Sequence, residues 1–180
     1  MPSSPIYVVQ RDGFHGHPAG LRWTESYRAE GREPDDKEPV DLDRVPAAIW
    51  IPYEWSRSTG NLVTDTTGGA FGPFEGQIFV AELTTGQVLR AEIEDIDGVS
   101  QGAVWPFMDR VGSVARVAFA PDGSLVCGLT NRGWGGLAPG HGVRRIRFTG
   151  QVPMEMKHVR LVSGGFDVEF THPAAGHIEP

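Results

Sequence analysis

Turn-forming residues interrupt this chain so often that no long helix can be drawn through it. It carries 24 glycines and 14 prolines in 180 residues, a load that favours many short strands. Between the interruptions lie runs rich in Val, Ile, Leu and Phe, at 48–51, 77–82, 88–93, 114–119, 124–129, 143–148, 157–161 and 166–171. Their lengths and β-branched content predict strands, and residues 6–10 add a short one at the start. Thr84-Thr-Gly86 and Pro121-Asp-Gly123 read as tight connections, with Pro presetting φ and Gly accepting a positive value. No segment keeps the i, i+3, i+4, i+7 apolar spacing of an amphipathic helix. The expected fold class is all-β, built from antiparallel sheets.

The polar, acid-rich segment 25–46 has prolines at 34, 39 and 46, which forbid a continuous helix; it reads as a solvated excursion. A formal net charge of −7 argues against a nucleic-acid partner, which needs a clustered basic surface. The most basic stretch, Arg144-Arg145-Ile-Arg147, alternates with apolar residues as a strand does. The single cysteine, Cys127, excludes an internal disulfide and cannot build a zinc site alone. It sits in the apolar run Ser124-Leu-Val-Cys-Gly-Leu and reads as a buried structural thiol. No apolar run reaches the roughly 18 residues of a membrane span. Met1-Pro-Ser-Ser-Pro lacks the basic and apolar regions of a secretion signal.

Two stretches share one grammar. Phe74 to Leu83 followed by Gly86 to Ile93 reads as a hairpin, and Val114 to Thr130 followed by Gly142 to Phe148 as a hairpin with a further strand. Their core positions, 79 and 125, are separated by about one propeller-blade period of roughly 40–50 residues. Trp50-Ile-Pro-Tyr53, the run from Asp65 to Val80, Gly98 to Phe107, Ala118 to Leu125, Thr130-Asn-Arg-Gly-Trp-Gly135, Val143 to Gly150 and Gly165 to Pro173 then follow in order, after an entry at Gly13 to Trp23. This series resembles the late blades of glucose/sorbosone dehydrogenase-like six-bladed β-propellers, a group that includes large membrane-bound dehydrogenases. The resemblance implies residues 1–150 as a partial propeller and 151–180 as closing strands and an exit segment. At about 40–50 residues per blade, the chain supplies three or four blades at most. An incomplete propeller is therefore expected, with open edges that call for further blades or another chain.

The resemblance also implies a periplasmic, quinone-linked oxidoreductase acting on a sugar or another alcohol or aldehyde, with pyrroloquinoline quinone and Ca²⁺ as cofactors. Where the family carries a lysine and an arginine pair against the quinone carboxylates, this sequence has Thr84, Ser113 and Ala115. The cofactor's anchoring cations are thus missing, and no catalytic constellation is complete. His15 and His17, spaced to share one face of an extended segment, are candidates for a base lining the mouth of the site, although structural hydrogen bonding is the preferred reading. No third ligand completes a metal site. Asp65 and Thr66, in Asp65-Thr-Thr-Gly-Gly, could offer a carboxylate, a hydroxyl and open amides to a sugar or cation, or form an Asx-type turn. The glycine-rich run 68–76 lacks the Gly-Lys-Thr ending and helix of a phosphate loop. Arg132 and Trp134, in Asn131-Arg-Gly-Trp-Gly-Gly136, could hold a sugar ring by stacking and an anion by charge, or plug a blade interface. The alternatives to a dehydrogenase portion are a non-catalytic carbohydrate- or protein-binding module and an assembly unit that pairs its edge strands with another chain.

Overall fold

The computed structural model describes residues 4–16, 44–130, 137 and 139–173, and among them there are strands and turns but no helix. The strands are β1 (Ser4–Ile6), β2 (Ile49–Ile51), β3 (Thr59–Thr64), β4 (Ile78–Glu82), β5 (Val88–Ile96), β6 (Val99–Met108), β7 (Val114–Phe119), β8 (Leu125–Thr130), β9 (His141–Ile146), β10 (Met156–Val162) and β11 (Gly165–Phe170). They form four sheets, ordered β1-β2, β3-β4-β5-β6, β7-β8-β9 and β10-β11, with every adjacent pair antiparallel. The all-β class holds. Among the described residues the sheets do not close on one another into a ring.

The four-stranded meander is the centre of the molecule, and its middle strands are buried on both faces. Phe79, Ala81 and Val88 point into one core with Phe71, Phe74, Val114, Val117, Leu125 and Cys127. Their neighbours Val80, Leu89 and Ala91 point into a second core with Ile6, Ile49 and Ile51. Alternate side chains of one strand necessarily serve opposite faces, so double-sided burial demands an unbroken apolar run. That is why β4 reads Ile-Phe-Val-Ala rather than apolar-polar. Phe71, Phe79, Phe107 and Phe119 meet at centroid distances of 4.9–5.8 Å in edge-on or tilted pairs, the geometry that aromatic quadrupoles favour.

The first core joins the meander to the sheet β7-β8-β9. At that joint β3 and β7 run so close that a Cβ on Gly60 would lie 2.7 Å from the Ala115 carbonyl oxygen. Asn61 completes the junction: its side-chain amide donates to the Val117 carbonyl at 3.0 Å and its oxygen accepts the Val117 N–H at 2.7 Å. An asparagine side chain here takes the place of a strand's peptide group.

Two strands were not foreseen. β3 is mostly polar and half-exposed, and β6 contains Gly102 and Pro106. Pro106 is tolerated because β6 is the edge of its sheet. The signal for β6 was present in Asp97-Gly98, both at positive φ (53° and 83°), the residue pair of a two-residue hairpin turn. Conversely, the strand expected over 6–10 is spent by Ile6, because β2 offers only Ile49–Ile51 as partner and the chain turns at Asp12, φ 60°. The acid-rich segment falls almost wholly outside the described residues.

Candidate functional site

Asp65 follows β3 directly and is buried in full. Its backbone continues the pairing with the next segment, its N–H donating to Gln77 O at 2.8 Å and its carbonyl accepting Gly76 N–H at 2.9 Å. The carboxylate then turns the chain: Oδ1 accepts the Thr67 N–H at 2.9 Å, an Asx-type turn. Thr67 extends it by accepting the Phe71 N–H on its hydroxyl at 3.1 Å. Asp65 Oδ2 is buried and has no hydrogen-bond partner among the described residues. Thr66, next in line, is exposed.

This loop abuts the β7–β8 turn. Pro121, Asp122 and Gly123 reverse the chain with Ala120 N–H donating to Ser124 O at 2.8 Å and Gly123 N–H to Ala120 O at 2.9 Å. Gly123 is required twice over, by its φ of 77° and because a Cβ would lie 2.5 Å from that of Ala70. The Asp122 carboxyl is held below the usual range, chiefly by the Ser124 hydroxyl and then by the Ser124 N–H. Between loop and turn lies an open hollow of about 400 Å³, lined by Thr66, Thr67, Ala70, Phe119, Ala120, Pro121 and Gly123. It offers two threonine side chains, backbone polar groups and one aromatic residue, with no charged side chain among its lining.

A second polar cluster lies along β5. Arg90, Glu92 and Glu94 alternate onto one face, and each reaches the β10-β11 hairpin. The Arg90 guanidinium, fully buried, lies between the rings of Phe74 and Trp105, 4.1 and 4.5 Å from their centroids. It donates to Gln77 Oε1 and to the carbonyls of Met156 (2.7 Å) and Lys157 (3.4 Å). Burial pulls its pKa down to about 10, against the opposing charges of Glu155 and Glu92. Glu92 Oε1 lies 2.7 Å from His158 Nδ1, and Glu94 Oε1 accepts the Leu161 N–H at 3.0 Å. Neither apolar core contains a residue of β10 or β11. The hairpin is therefore docked by polar side chains, and Arg90 acts as a clamp rather than as an anion site.

No family model, curated protein or solved structure matches this chain.

The other residues singled out in the sequence separate cleanly. His15 stays within its own N-terminal loop, its Nε2 accepting the Gln10 N–H at 3.1 Å and its ring edge-on to Tyr7 at 5.7 Å. His17, Arg132 and Trp134 lie outside the described residues. Of the positions aligned with the quinone's cations, Ser113 is fully buried, and the Ala115 carbonyl is packed against Gly60. Among the described residues no group of three His, Cys, Asp or Glu side chains could hold a metal ion, and no helix is long and apolar enough to cross a membrane. Cys127 is buried, and burial pushes its thiol up to about 11. Sequence reasoning missed the Arg90–Glu92–Glu94 ladder. Its signal was the alternation of three charged residues with Leu89, Ala91 and Ile93 in one strand.

Proposed function

We propose that this chain is a pair of adjoining propeller-type blades that works as a binding module, holding a sugar or similar polyol in the hollow between the Asp65–Ala70 loop and the β7–β8 turn. The observation that carries this reading is the hollow itself, formed by loops from two sheets that the Asn61–Val117 junction fixes relative to each other. Its volume suits one hexose-sized ring. Hydroxyls and peptide groups in an otherwise uncharged lining can exchange hydrogen bonds with ring hydroxyls, while Phe119 offers an apolar surface. Asp65 and Thr66 take different parts, with Thr66 in the lining and Asp65 shaping the loop beneath it. The blade reading rests on the four-strand meander order and on the face-to-face packing of the two larger sheets, each entered through its first strand.

A quinone-linked dehydrogenase portion finds less support, because the positions of the cofactor's anchoring cations hold a threonine, a buried serine and an alanine. Calorimetric titration separates the two readings. Neutral hexoses should bind the folded chain with a Kd on the order of 1 mM, and Ala120→Trp, which fills the hollow, should abolish binding without unfolding the protein. Saturable binding of pyrroloquinoline quinone with Ca²⁺, and none of hexoses, would favour the dehydrogenase portion instead.

A further inference from the structure

Two edge strands of this molecule carry opposite charge. β9 ends the sheet β7-β8-β9, and β11 ends the hairpin β10-β11; neither has a second strand partner among the described residues. Both are exposed along nearly their whole length. An open edge presents unpaired N–H and C=O groups and is a template for another strand. The sequence at β9 and just beyond it is basic, with Arg144, Arg145 and Arg147, whereas β11 carries Asp167 and Glu169 and no cation.

We propose that the β9 edge of one copy pairs antiparallel with the β11 edge of a second copy, so that the protein assembles head to tail. One register pairs the charges: it sets Arg145 opposite Glu169 and Arg147 opposite Asp167 on one face, and Ile146 opposite Val168 and Arg144 opposite Phe170 on the other. Arg145 now lies 3.3 Å from Asp122 and Glu169 2.9 Å from Lys157, so both would share their partners across the new edge. Opposite charges and apolar pairs placed directly across strands favour pairing, and like charges there oppose it. On β9 the Ile146 side already packs against the first core. The incoming Val168, 38% exposed, and Phe166, 68% exposed, would extend that apolar face. Within one chain the two strands belong to different sheets and do not pair with each other. The two edges are different surfaces, so each pairing leaves one of each free until the assembly closes.

Sedimentation velocity on the full chain over a range of concentrations tests this. The wild type should associate in a concentration-dependent way. Arg145→Glu with Arg147→Glu, or Asp167→Arg with Glu169→Arg, should each weaken association by about tenfold or more, since attraction becomes repulsion at two pairs. Mixing the two variants should restore it as a hetero-assembly, which a misfolded variant cannot do. A wild type that stays monomeric up to about 100 µM, oligomers unchanged by either swap, or failure of the mixed variants to associate while circular dichroism shows both folded would each overturn the proposal. The first of these outcomes would leave the edges to a different protein.

Discussion

Asn61 on β3 grips the peptide of Val117 on β7 from both sides, donating at 3.0 Å and accepting at 2.7 Å. This is a side chain acting as one residue of a strand ladder, and it ties two sheets that also share an apolar core. Asn61→Ala leaves both Val117 groups without their partner in a partly buried setting. The loss should be about 1–3 kcal/mol, read as a lower urea midpoint with an unchanged slope. Asn61→Asp keeps the acceptor alone and should recover only part of the loss.

Arg90 should behave as the fastening of the β10-β11 hairpin. Arg90→Met keeps the packing between Phe74 and Trp105 but strips the donors from the Met156 and Lys157 carbonyls. Limited proteolysis should then cut near residues 149–155 sooner than in the wild type, while cuts in β4 and β5 stay rare. Arg90→Lys should not rescue, because an ammonium cannot spread donors over separated carbonyls while stacking between two rings.

Acid should loosen the same hairpin from its other end. The Glu94 carboxyl is held below its ordinary value of 4.5, first by the Leu161 N–H and then by Gln101. A carboxyl whose folded pKa is depressed contributes stability that is complete above the unfolded value and is lost as pH falls through the folded one. Exchange of the Leu161 amide, corrected for its intrinsic rate, should therefore rise as pH drops below 4.5. In Glu94→Gln that dependence should vanish, and a wild-type rate that stays flat would refute this account.

The Cys127 thiol should be inert in the folded protein. It is buried, and desolvation pushes it up to about 11, so little thiolate exists near neutrality. A disulfide reagent near pH 8 should label it at least about a hundredfold more slowly than in urea, at the rate of local opening.

Much of the architecture was legible in the sequence because double-sided burial writes itself as unbroken apolar runs. Phe79-Val80-Ala81 announces such a strand whatever its surroundings, while Leu125-Val126-Cys127 is an apolar run buried on one face, with Val126 half-exposed on the other. Strands at the margins carry no such imprint. β3 is held by Asn61 and by backbone pairing, and β6 carries Pro106 as the end strand of its sheet and Gly102 where a Cβ would collide with the Glu92 carbonyl oxygen. The turn at Pro121–Gly123 was legible from its own chemistry. That it meets the Asp65–Ala70 loop was not, because the contact spans 53 residues between Ala70 and Gly123. Asp65 offered both a turn and a ligand reading; the geometry supplies the turn and places Thr66, not Asp65, in the hollow. The His15-x-His17 spacing left a structural and a functional reading open, with the structural one preferred; His15 is engaged with its neighbours Gln10 and Tyr7, and His17 lies outside the described residues.

Glu82 ends β4 fully buried, and among the described residues no cation pairs with it. Its Oε1 accepts the N–H groups of Arg57 and Ser58 at 2.9 and 2.7 Å, and its Oε2 accepts the N–H and hydroxyl of Thr85. Gln87 in turn donates to the Thr85 hydroxyl at 2.9 Å and to Trp55 O at 2.8 Å. Fixed peptide dipoles stand in for a counter-ion. Because the Glu82 carboxylate is fully buried, dissolved salt should screen its bonds far less than it screens the ion pairs of the charged exterior, so this joint should hold at ionic strengths that loosen the surface.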